Sequence, residues 1–149
     1  MKGTTLVTSN RSAPAATIVP ILVYEDVEAA IAWLCDTLGF SERLRAAHNG
    51  VVNHAQLTFR EGAVMIGRRG GPFRPPQGNH VSHVVHVGVA DVDAHFAHAQ
   101  KRGAKIVRPP ENMPFGERQY TIEDPGGHWW VISQHIADLA PEDWGAVGY

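Results

Sequence analysis

The chain has 149 residues, 44% of them hydrophobic, with 13 Lys and Arg against 15 Asp and Glu for a formal net charge of −2. That suffices for one domain with an ordinary core and is too little for two large ones. The charges are interspersed without a basic stripe or an acidic tail, and no stretch is apolar for long enough to span a bilayer, which argues against nucleic acid and membranes as partners. The one cysteine, Cys35, excludes an intrachain disulfide framework and fits a reducing compartment. The opening "MKGTTLVTSNRSAPAAT" lacks the apolar run of a secretion signal, so a cytoplasmic protein is expected.

Residues 1–16, rich in Thr, Ser, Ala and Asn without periodicity, read as a flexible N-terminal arm. "TIVPILVY" follows as a short buried strand, with Pro20 suggesting an edge or a bulge because it has no N–H to donate. In "EDVEAAIAWLCDTLGF", Asp26 caps a helix carrying Val27, Ile31 and Leu34 at helical spacing, and Gly39 closes it. "SERLRAA", "VVNHAQLTFR" and "GAVMIGR" read as three strands divided by turn residues, and "GGPFRPPQGN" as a Gly/Pro linker. The order then repeats: strand "VSHVVHVGV", helix "DVDAHFAHAQKRG", strands "AKIVRP", "GERQYTIED" and "HWWVISQH". "IADLAPEDWGAVGY" looks like a loose tail.

One shift relates the halves. Asp26-Val27 matches Asp91-Val92 at 91 − 26 = 65, and Gly62 matches Gly127 at 127 − 62 = 65. A repeated unit of this size buries its apolar face against its copy. The expected fold is therefore α+β: two βαβββ modules, residues 17–70 and 80–136 joined by linker 71–79, forming a curved mixed-sheet cup with helices outside. Residues 137–149 make the tail.

The stretches "VYEDVEAAIAWLCDTLGF", "VGVADVDAHFAHAQKRGAKIVRPP" and "GERQYTIEDPGGHWWVISQ" give the chain, over about residues 17–136, a resemblance to the vicinal-oxygen-chelate superfamily. Its members include glyoxalase I, extradiol dioxygenases and the bleomycin- and fosfomycin-resistance proteins. The "DPGGH" turn before a Trp-bearing strand is the most specific part of the likeness. The resemblance implies a metal site in the metal-dependent members, with one ligand on the first and last strand of each module. Through the helix starts and turn glycines those positions become Val19, Ile66, Val84 and Val131. Branched aliphatics offer a cation no lone pair, so no cofactor is expected, and a divalent metal only on non-standard ligands such as His54, Gln56 and His86.

Five of the nine histidines, His80, His83, His86, His95 and His98, crowd into "NHVSHVVHVGVADVDAHFAHA". His95 and His98 lie one helical turn apart but lack partners to complete a metal site, and read as surface or flank residues. His86 falls on the inward face two residues after Val84. It is either a ligand-binding group or general base, or a core histidine satisfied by its neighbours.

Alternation along the strands puts Ile21, Val64, Ile66, Val84, His86, Trp129, Val131 and Ser133 among the inward, ligand-binding set, with Arg68 reaching the rim. The face shared by His54, Gln56 and Thr58, and that shared by Arg118 and Tyr120, remain open as to which looks into the cup. Such a lining suits a small hydrophobic or aromatic ligand, with Trp129 available for stacking. The resemblance to the bleomycin-resistance type implies a homodimer that sequesters its ligand. The alternative is a lyase, isomerase or dioxygenase with non-standard metal ligands or His86 as base. A third reading has the cup filled by Trp129 or by the N-terminal arm.

Overall fold

The computed structural model describes residues 8–149, so part of the expected arm, residues 1–7, lies outside the described residues. The first module holds β1 (Ile21–Tyr24), α1 (Val27–Trp33), β2 (Ser41–His48), β3 (Val51–Phe59) and β4 (Gly62–Arg68). The second holds β5 (Val85–Gly88), α2 (Val92–Lys101), β6 (Lys105–Asn112), β7 (Glu117–Glu123) and β8 (Trp129–His135). The duplication βαβββ–βαβββ is thus observed, as two four-stranded mixed sheets ordered β1-β4-β3-β2 and β5-β8-β7-β6. In each sheet the first strand runs parallel to the last and the other pairs are antiparallel. β1 is shorter than the apolar run around it. Pro20 sits just before it, on an edge strand, and its carbonyl still accepts from Met65 N–H at 2.9 Å.

The helix starts are those the repeated Asp-Val pairs imply. Asp26 and Asp91 each accept a backbone N–H, from Ala29 and Ala94, at 3.0 Å. After Trp33 the first helix widens into a π-helical turn, Leu34–Leu38, and stops at Gly39 with φ 89°.

Strand alternation decides which face of each sheet is buried. Leu22, Ala55, Leu57, Val64 and Ile66 lie in register on one face of the first sheet, and Val87, Tyr120, Ile122, Trp130 and Ile132 on one face of the second. Both sets join the apolar stripes of α1 and α2 in one continuous core. The Phe40 ring meets Trp130 edge-on at 5.5 Å, so the two modules share that core. The other face of each sheet lies away from it.

Polar contacts fasten the modules as well. The Asp124 carboxylate, buried in the "DPGGH" turn, accepts from Tyr24 Oη at 2.5 Å and Trp130 Nε1 at 2.9 Å, and from the N–H groups of Gly126 and His128. His128 Nε2 reaches the Val23 carbonyl at 2.7 Å. His95 and His98, expected as surface or flank residues, bring ring nitrogens to the carbonyls of Leu38, at 3.1 Å, and Asp36, at 2.6 Å; His98 is exposed, whereas His95 is half-buried. A helix end leaves such carbonyls without intrahelical partners, and the imidazole N–H groups of α2 supply them.

The tail is more ordered than expected. Ile136 and Ala137 donate to the Gly116 carbonyl at 2.9 and 3.2 Å, a 3₁₀ turn covers Pro141–Trp144, and the Trp144 ring packs 5.6 Å from Phe115. No helix among the described residues is long and apolar enough to cross a membrane.

Candidate functional site

On the open face of the second sheet His86 stands beside Val131 and Gly88 beside Ser133 across β5 and β8, with Trp129 on the same face of β8. Gln119, Thr121 and Glu123 continue the face on β7. On the first sheet Ile21, Met65 and Gln56 are in register on the open face, with His54 opposite Gly67 and Thr58 opposite Ala63. His54, Gln56 and Thr58 therefore belong to the open side, whereas Tyr120 is core.

Two side chains face the other way from the expectation. Val64 and Ile66 turn into the helix-side core, where Ile66 is fully buried. The cause is a difference in hairpin length. Leu57 pairs with Val64, a separation of 64 − 57 = 7, and Ile122 with Trp130, a separation of 130 − 122 = 8. Matching turn glycine to turn glycine therefore slides β4 by one residue, and one residue exchanges the faces. Met65 pairs with Ile21 and Gln56 as Val131 pairs with His86 and Thr121, so Met65 is the counterpart of Val131.

A cavity of about 570 Å³ runs along the free edge of β5, between the modules. Phe40, Phe59, Val64, Val85 and Val87 give it an apolar wall, with Ile18 and Pro20 from the segment before β1. His83, His86 and His135 supply its imidazoles, and the Arg60-Glu61 turn closes one end. Arg60 takes the left-handed φ of 52° there, with its guanidinium 5.9 Å from the centre of the Phe59 ring.

Of the residues singled out in the sequence, Val64, Val84 and His86 line this cavity. Ile21, Trp129, Val131 and Ser133 lie on open faces outside it. Arg68 borders a separate hollow with Glu25, Glu28 and Val51. Sequence reasoning missed His83, His135, Phe40 and Phe59. His135 continues the alternation Val131, Ser133, His135 and could have been found. Phe59 likewise continues the alternation Ala55, Leu57, Phe59 on β3, but Phe40 could not have been found, because it enters from the loop after the π-helical turn.

Trp129 is not loose on its face. Its Nε1 donates to Glu123 Oε1 at 2.9 Å, and Lys105 Nζ holds Glu123 Oε2 at 2.8 Å. Burial pushes the Glu123 carboxyl up, but the bonds from Lys105 and Trp129 outweigh it and its pKa is lowered. Gln56 is likewise committed. Arg43 donates to its Oε1 at 2.7 Å, and its Nε2 donates to the Ser12 carbonyl at 2.8 Å, so the arm crosses the open face of β3. His54 Nε2 lies 3.4 Å from Gln56 Nε2. Among the described residues no three His, Cys, Asp or Glu side chains converge as a metal site would require.

The family model for the Glyoxalase/Bleomycin resistance protein/Dioxygenase superfamily matches residues 16–132, which include both modules up to the middle of β8. The chain belongs to that superfamily. Within it, the chain is similar to the solved structure of TioX from Micromonospora sp. ML1, with 38% identity, a TM-score of 0.69, and coverage of 81% of this chain and 99% of that one. The structure of TnmS3, an antibiotic binding protein from Streptomyces sp. CB03234, shares the fold at 23% identity and a TM-score of 0.61, covering 81% of this chain and 98% of that one. Among curated proteins, the uncharacterized protein Mb0911c of Mycobacterium bovis is 28% identical over 127 residues, 80% of this chain and 84% of that protein. By register Met65, as the counterpart of Val131, takes the place of Ile66 among the expected corner positions, beside Val19, Val84 and Val131.

Proposed function

We propose that the protein binds a small hydrophobic or aromatic molecule in the cavity beside β5, as a homodimer and without a metal ion. The observation that carries this is the cavity itself. Its wall is largely aliphatic and aromatic, it is roomy enough for a drug-sized guest, and its polar side chains are the three imidazoles and the Arg60-Glu61 turn at one end. The four corner residues do not fit a divalent cation. Three are valines, and the Met65 sulfur is a soft, weak donor that cannot replace carboxylate or imidazole. That TnmS3, which shares the fold, is an antibiotic binding protein supports the same kind of use. Ile21 and Val84 leave apolar surface exposed at 62% and 46% beside the free edges of β1 and β5, surface that a second copy would cover.

Two measurements test the proposal. Elemental analysis of protein purified without a His tag should find no stoichiometric Zn, Ni, Mn or Fe. A thermal-shift screen of aromatic drugs, with and without divalent ions, should find compounds that raise the melting temperature equally in both conditions. A stoichiometric metal whose removal abolishes binding or turnover would overturn the reading.

A further inference from the structure

At the mouth of the cavity, His135 Nδ1 lies 2.7 Å from Glu117 Oε1. A carboxylate only accepts, so Nδ1–H donates and the free ring atom is Nε2, on a side chain 91% exposed. Glu117 itself is largely buried, and its second oxygen, Oε2, meets no donor among the described residues. No other buried side-chain nitrogen or oxygen among them is left unpaired. The neighbouring pair on the same two strands shows what a closed contact looks like, since Gln119 Nε2 donates to Ser133 Oγ at 3.2 Å. Gly88, across β8 from these groups, has nothing within 4 Å of where a Cβ would stand, so the approach over β5 is open.

A buried carboxyl group with one of its two oxygens unsatisfied is costly, and a positive partner offsets that cost better than a neutral one. An imidazole anchored through Nδ1 is that partner when a proton from the guest sits on Nε2. The guest best suited to deliver one from an apolar cavity is an acidic hydroxyl on an aromatic ring.

We propose that the Glu117–His135 pair is the specificity-determining anchor of the cavity and selects hydroxyaromatic ligands. The phenolic O–H donates to His135 Nε2, its proton moves to that nitrogen, and the resulting phenolate pairs with an imidazolium held by Glu117. This rests on the cavity being a ligand site, as argued above.

The test uses the full chain with two matched fluorescent probes, 7-hydroxycoumarin and 7-methoxycoumarin, at a pH where the free hydroxy probe is neutral. The wild-type protein should bind the hydroxy probe about tenfold or more tightly than the methoxy probe, and the bound probe should show the excitation band of its anion. H135F and E117Q should each remove both the preference and the anion band, so that on either variant the hydroxy probe binds no more tightly than the methoxy probe measured on that same variant. His135 is exposed, so H135F leaves the core intact should E117Q disturb folding. Equal binding of the two probes, or a preference that survives H135F, overturns the anchor but not the cavity. Failure of both probes to bind overturns the cavity reading, and the anchor with it.

Discussion

Tyr24 and Asp124, one hundred residues apart, form the shortest polar link between the two modules, Oη to Oδ2 at 2.5 Å. Burial, and then the adjacent Asp124 charge, raise the Tyr24 pKa well above its ordinary value, so the hydroxyl remains a donor. Asp124→Ala would strand this hydroxyl, the Trp130 indole N–H and two backbone N–H groups in the interior. It should destabilise the protein by about 3–5 kcal/mol, the range for breaking a buried charged contact. Tyr24→Phe removes one donor and should cost about 1–2 kcal/mol. Urea unfolding of both variants and of the double mutant checks this, and a coupling energy near zero would deny the link between modules.

His95 makes the module interface sensitive to acid. Burial lowers its pKa from the usual 6.5, against the bond to the Leu38 carbonyl and with help from nearby His98. Nδ1 lies 2.6 Å from Tyr120 Oη, so the neutral ring accepts there and donates at Nε2. A base whose folded pKa is depressed takes up its proton more readily when unfolded. Stability is therefore fully present above about pH 6.5 and is lost as pH falls from there through the folded value. Urea midpoints measured between pH 7.5 and 5 should fall for the wild type, and less steeply for His95→Gln. Equal slopes would remove His95 as the cause.

Much of this interface was readable in advance, and some was not. The Asp26 and Asp91 caps, the Gly39 stop and the strand alternation follow from local chemistry, and they were enough to reveal the duplicated modules. The register of β4 was not readable, because one extra residue in the β7–β8 hairpin is invisible when turn glycines are aligned. The burial of His95 was not readable for a similar reason. Whether His95 meets solvent or the Leu38 carbonyl depends on how two helices from different modules pack, and no periodicity within either helix reports that. The cavity wall suffers the same limit, since Phe40 and Val87 meet only through the tertiary fold.

The turn around Asp124 also requires a glycine. A Cβ on Gly126 would stand 2.5 Å from Tyr24 Cδ1 and 2.7 Å from its Cε1, in a ring that is itself pinned by Asp124. Gly126→Ala should therefore cost about 1–3 kcal/mol, as overpacking does. Gly88→Ala is the control, since its Cβ would enter open space, and it should change stability by no more than about 0.5 kcal/mol. Thermal unfolding of the two variants side by side measures the difference, and equal melting temperatures would mean that the Tyr24 ring can move aside.

The exposed apolar edge predicts the assembly. β1 and β5 each pair on one side only, and Ile18 and Ile21 beside the first of them are 86% and 62% exposed. An open strand edge with apolar side chains is a template for association unless something covers it, and here neither a lysine nor a bulge interrupts β1. Sedimentation equilibrium should therefore report about twice the chain mass of 16.2 kDa. Ile21→Glu sets a charge where a second copy would have to desolvate it, while leaving the buried Leu22 and Tyr24 face untouched. It should return the protein to the monomer mass with a melting temperature limited only by the lost association. A wild-type monomer would remove the homodimer from the proposed function, and a dimer indifferent to Ile21→Glu would move the contact away from β1.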